Sequence, residues 1–233
     1  IQGPSYPATP DCKPMDFDGG LLTWSGLIPG NYLVTEPGVG PEWTTSISPA
    51  PASVPINGGS ASVTIDNVRK RGSLTDSKTV NWKGIEPDTN ASFEICITGP
   101  SYPTTPSCQN AGYNGGTLQW DDLIPGVYTV AETTPSVEWH LVTPPQQVTV
   151  PADGSGAAAS ILNQRKLGSV AVTKVVDWKG AAVDPGQNFT LCITGPSFPN
   201  GDCKSVGPNG GQAWWFNLIP GAYALTETGP GDA

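Results

Sequence analysis

Three stretches of this chain are near copies of one another: Ile1–Pro7 is IQGPSYP, Ile97–Pro103 is ITGPSYP and Ile193–Pro199 is ITGPSFP. Each is followed by a Gly-Gly pair, a Trp-containing stretch, the tetrapeptide LIPG and a Tyr-to-Glu segment. Matched positions stand 96 residues apart, falling to 95 in the third copy after a one-residue deletion near Asn200. Self-similarity at that length requires a string of like modules, each large enough for its own core. The expected division is a partial module at 1–71 lacking its first strands, a complete one at 72–167, and a partial one at 168–233 lacking its last strands. The open ends fit a window cut from a longer array. The alternative is completion between chains, with Lys174 of one molecule meeting Asn67 of the next.

The 29 glycines and 25 prolines exceed ordinary usage, yet aromatic and β-branched residues run throughout, which points to a turn-rich all-β chain rather than disorder. In the complete copy the expected strands are 74–82, 92–98, 117–120, 127–133, 139–142, 146–150 and 157–163. Seven short strands separated by Gly, Pro and Asn/Asp turns describe an Ig-like β-sandwich repeated in tandem about every 96 residues. The modules abut through Val68–Arg71 and Gln164–Leu167, with no flexible linker.

Five cysteines make an odd count that the repeat explains. Cys96 and Cys108 match Cys192 and Cys203, and Cys12 matches Cys108, so its counterpart would fall one residue before Ile1. Each pair flanks a Pro-rich stretch, read as a loop clamped by a disulfide, which points to an exported protein; two free buried thiols are the alternative. The spacing is wrong for zinc, and His140 is the only histidine.

Residues two apart on a strand share a face, so alternation identifies the inward sets. These are Val170, Val172, Lys174, Val176 on the opening strand, Tyr128, Val130, Glu132 in mid-module, and Ala157, Ala159, Ile161, Asn163 on the closing strand. The same pattern places Lys78, Glu36, Glu227 and Asn67 on inward faces of the other copies. A buried lysine, carboxylate and amide are costly unless they meet one another. Desolvation should lower the lysine pKa and raise that of the glutamate. A neutral amine can then attack the asparagine carbonyl while glutamic acid polarises it and shuttles a proton to departing ammonia. The product would be an amide bond between Lys78 and Asn163 with Glu132 as intramolecular catalyst; a non-covalent network of the three is the alternative. Asp76, on the same face as Lys78 where the third copy has Val172, would favour charged lysine and oppose the reaction.

At these residues the chain resembles the collagen-adhesin B-type, or SpaA-like pilin, repeat family of bacterial surface adhesins and pili. The resemblance rests on SVAVTKV at 169–175, YTVAETTP at 128–135, YALTETGP at 223–230, and the terminal ILNQRK and IDNVRK, and it spans essentially the whole chain. It implies a transthyretin-like β-sandwich with a self-formed Lys–Asn isopeptide bond, in a stalk or pilus subunit that works outside the cell. In the first copy Pro37 stands where the family usually has threonine, and the cysteine clamp is not a general family mark.

Other readings are weaker. A net charge of −9 argues against nucleic acid and anionic membranes, and no apolar run is long enough to span a bilayer. No motif supports turnover on an outside substrate, a cofactor or a metal site, so the chain is not expected to be an enzyme. Eight tryptophans leave an adhesin or glycan-binding module open as the alternative function, with Trp214 the best exposed candidate, although recurrence fits packing as well. Asn90 and Asn188 head sequons. The expected partners are like modules in the same and neighbouring chains of a fibre, with a glycan or host protein as a further possibility.

Overall fold

A computed structural model describes residues 1–133 and 135–228; Thr134, Gly229 and Pro230 of the glutamate motifs, and the rest of 229–233, lie outside them. In the first copy β1 (Gly30–Tyr32), β2 (Trp43–Ser48), β3 (Ala52–Val54) and β4 (Thr64–Arg69) form two antiparallel ribbons, β1 with β3 and β2 with β4.

The middle copy holds eight strands: β5 (Gly72–Asn81), β6 (Ser92–Gly99), β7 (Tyr102–Gly112), β8 (Gly116–Leu123), β9 (Gly126–Glu132), β10 (Trp139–Leu141), β11 (Gln146–Val150) and β12 (Gly156–Arg165). They make two four-stranded sheets, ordered β10-β12-β5-β8 and β11-β9-β6-β7. Every pairing is antiparallel except one: β12 runs parallel to β5, from Gly156 opposite Ser73 to Gln164 opposite Asn81. Leu74, Ile95, Ile97, Tyr128, Val130 and Ile161 fill the space between the sheets. Each fully buried aliphatic side chain of this kind contributes about 1.5–3 kcal/mol.

Seven of these strands fall where the alternation places them, with ends shifted by up to three residues. The eighth, β7, corrects the reading of the cysteine-flanked stretch as a loop: Tyr102–Gly112 folds back on β6 as a hairpin. Its prolines are tolerated because β7 is an edge strand, where a missing N–H breaks no ladder. Cys96 and Cys108 face each other across that hairpin and are bonded, as are Cys192 and Cys203; Cys12 is an exposed free thiol.

The third copy repeats the scheme in part. β13 (Gly168–Lys174), β14 (Phe189–Gly195), β15 (Phe198–Val206), β16 (Gly211–Leu218) and β17 (Ala224–Thr228) pair as β13-β16 and β15-β14-β17, matching β5-β8 and β7-β6-β9. Phe189, Leu191, Ile193, Val206 and Trp215 form its core. In the flanking copies two residues of the inward sets are exposed, Leu225 at 51% and Ile65 at 39%.

One lock recurs in all three copies and accounts for the repeated GPS, LIPG and Tyr motifs together. The Tyr128 hydroxyl lies 2.7 Å from Ser101 Oγ and 2.9 Å from the Ile124 carbonyl oxygen, and it accepts the Ser101 N–H at 3.1 Å. Tyr32 with Ser5 and Ile28, and Tyr223 with Ser197 and Ile219, repeat the arrangement. The glycine of each GPS lets the backbone pass against this ring. A Cβ on Gly99 would stand 2.6 Å from Tyr128 Cδ1.

Candidate functional site

Lys78 sits on β5 opposite Ile161 of β12, and Asn163 lies two residues further along β12, opposite Val80. The parallel register thus makes Lys78 and Asn163 diagonal neighbours on one inner face. Glu132 reaches them from the last position of β9, in the other sheet. Its two oxygens divide the work: Lys78 Nζ donates to Oε2 at 2.6 Å, and Asn163 Nδ2 donates to Oε1 at 2.6 Å. Lys78 is 3% exposed, Asn163 is fully buried, and the Glu132 side chain is 1% exposed.

Aromatic rings pack around the site. Lys78 Nζ lies 4.7 Å from the centre of the Phe93 ring, Trp139 packs edge-on to Phe93, and Trp82 packs edge-on to Trp139. Burial drives the Lys78 amine below its usual pKa, although the hydrogen bond and charge of Glu132, and the Asp76 charge, pull the other way. Asn163 Oδ1 is buried with no hydrogen-bond partner among the described residues. One carboxylate therefore joins a buried amine whose charged form is disfavoured by burial to a buried amide with a free carbonyl oxygen.

The flanking copies hold two members each of the expected trio. Lys174 Nζ is 2.8 Å from Glu227 Oε1 and 4.6 Å from the Phe189 ring centre. Glu36 accepts from Asn67 Nδ2 at 2.8 and 3.0 Å, and the Thr45 hydroxyl donates to Asn67 Oδ1 at 2.6 Å. Glu36, Asn67 and Glu227 are exposed, so only the middle copy joins all three residue types in a buried cluster. Phe93 and Phe189 were not singled out from the sequence. Their recurrence 96 residues apart, each at or next to the start of a strand, is the available signal.

The tryptophans divide between packing and surface. Trp120 and Trp215 are buried, their indole N–H groups donating to Ser107 Oγ and Asp202 Oδ2, while Trp24 donates to Asp11 Oδ2. Trp214 is 42% exposed and stacks on Phe216 with ring centroids 5.7 Å apart. Asn90 and Asn188 are exposed. The one cluster of metal-ligand type among the described residues, Glu94 with Cys96 and Cys108, has both sulfurs in a disulfide and offers no thiolate. No helix among the described residues is long and apolar enough to cross a membrane.

No protein-family model matches the chain, and no curated protein matches it. Solved structures that align with it include the TIE protein of Bacillus anthracis, at 18% identity and a TM-score of 0.48 over 80% of this chain and 36% of that one. A minor pilin of Streptococcus agalactiae aligns at 14% identity and a TM-score of 0.30, over 52% and 60% of the two chains. The major pilin SpaD of Corynebacterium diphtheriae aligns at 18% and 0.28, over 53% and 40%. The chain therefore spans less than two thirds of the length of each of these three structures.

Proposed function

We propose that the chain is a run of structural modules from an extracellular fibre, pilus or surface stalk, and that the middle module is closed by an amide bond between Lys78 and Asn163. The observation that carries this reading is the single buried Glu132 carboxylate bridging the lysine and the asparagine. Glu132 first takes a proton from Lys78. The protonated acid then polarises the Asn163 carbonyl, once a half-turn of the amide presents Oδ1 in place of Nδ2. The free amine attacks Cγ, Glu132 relays the proton to the departing nitrogen, and ammonia leaves. This happens once per module, and nothing is turned over.

Lys174 with Glu227, and Glu36 with Asn67, hold the corresponding places in the flanking modules, taken as 168–233 and 1–71 around the complete module 72–167. Like modules in the same and neighbouring chains are the partners this architecture implies. Cysteine bridges clamp the β6–β7 and β14–β15 hairpins and agree with an oxidising, extracellular setting.

Intact mass of the denatured whole chain tests the reading. The wild type should be lighter than its sequence by one ammonia beyond the hydrogens lost to its disulfides, and Asn163→Ala should not show that loss. A wild-type chain lacking that ammonia deficit would sink it.

A further inference from the structure

Asp76 is a fully buried carboxyl for which the crosslinking chemistry above has no use. It lies two residues before Lys78 on the inner face of β5, and neither of its oxygens has a hydrogen-bond partner among the described residues. Its register neighbours are apolar, Leu118 on β8 and Ala159 on β12. The charged groups acting on it are Lys78 on its own strand and Glu132 from the facing sheet. The middle site therefore holds two carboxyls for one ammonium, whereas the third copy has Val172 at this position and holds one carboxyl.

We infer that Asp76 gates the crosslink: the bond forms while Asp76 is a neutral carboxylic acid and stalls when Asp76 ionises. The inference rests on the Lys78–Asn163 bond proposed above. With Asp76 neutral, the lysine ammonium and the Glu132 carboxylate cancel. One Nζ proton passes to Glu132, the nitrogen lone pair forms the Nζ–Cγ bond, a second Nζ proton reaches the amide nitrogen, and the Cγ–Nδ2 bond breaks to release ammonia. One proton stays on the new amide nitrogen and one on Glu132, so the product contains no buried charge.

With Asp76 ionised, the same step is opposed twice. Before reaction the extra anion holds Lys78 as ammonium, which has no lone pair to attack with. After reaction the only cation has gone, and one carboxylate is left buried without a counter-charge. Burial, the largest influence on Asp76, raises its pKa, the direction that keeps it neutral.

The test follows ammonia loss over time by intact mass in whole chain made by chemical synthesis and held in denaturant, so that it starts unreacted, then folded by dilution between mildly acid and mildly alkaline pH. Wild type should slow by about tenfold per pH unit once Asp76 titrates. Asp76→Val, the residue of the third copy, and Asp76→Asn should lose that alkaline decline and react at least about tenfold faster at the alkaline end. If one variant does not fold, the other carries the same expectation. Variants with the wild-type rate and pH profile would overturn the gate and leave the bond standing. Absence of ammonia loss from every chain at every pH would overturn the bond and the gate together.

Discussion

Replacing Lys78 by Met and Glu132 by Gln together separates a covalent link from a non-covalent network by the sign of the stability change. At a pH where Asp76 is protonated, the double variant removes the nucleophile and the proton carrier without stranding a charge. The introduced glutamine amide can still accept from Asn163 Nδ2, and its own N–H can donate to Asn163 Oδ1, which is unpartnered in the wild type. Exchanging a buried ion pair for neutral groups of similar size is commonly neutral or stabilising, by up to about 4 kcal/mol. Deleting the cross-bond acts in the opposite direction. Lys78 and Asn163 enclose 84 residues, and closing a loop of that size corresponds to about 4 to 5 kcal/mol in the chain-entropy treatment developed for disulfides. For a module of this length that is a drop of about 20 to 25 °C in Tm. Differential scanning calorimetry of the whole chain should show the middle-module transition shifted down by that amount while the cystine bridges stay intact. A double variant that melts at or above the wild-type temperature refutes the crosslink.

Tyr128→Phe removes the hydroxyl shared by Ser101 and Ile124 and should cost about 1–3 kcal/mol, measured as a lower denaturant midpoint with an unchanged m-value. Reducing Cys96–Cys108, which closes a sequence separation of 12, should lower stability by about 3 kcal/mol, read by chemical unfolding with and without reductant. Asp76 gives a pH signature of defined sign. Its folded pKa lies above the ordinary 3.8, so between the two values the folded chain holds a proton that the unfolded chain has released. Stability should therefore fall as pH rises from 3.8 through the folded value, and Asp76→Val should remove that decline and gain most at the alkaline end. Unfolding curves across pH that stay parallel for wild type and variant would contradict it.

The trio was legible because each member broke an apolar alternation in the same place in more than one copy. Lys78, Glu132 and Asn163 needed no knowledge of topology to be found. What alternation could not supply was their adjacency, since nothing local says that β5 and β12 run parallel side by side. That is decided by how eight strands close into two sheets. Strand β7 was missed for a different reason. The sequence YPTTPSC lacks a clear period of two and carries two prolines, and at a sheet edge the solvent side tolerates both. The tyrosine lock was visible only in pieces: GPS, LIPG and the Tyr-to-Glu segment recur together, but their meeting point is a backbone carbonyl and two hydroxyls that no pattern of side-chain polarity marks.

The parallel pairing of the first and last strands has a mechanical consequence. Because β5 and β12 point the same way, the chain enters the middle module at one end and leaves at the other, and pulling on the two ends shears the whole ladder between them at once. A bond from Lys78 to Asn163 would short-circuit that load. Tension would run from Gly72 to Lys78, cross the side chains, and leave through Asn163 to Arg165, with residues 79–162 outside the force path. An unlinked module that gives way would lengthen by about 280 to 300 Å as those 84 residues extend. A linked one would pass the same pull along its edge at constant length.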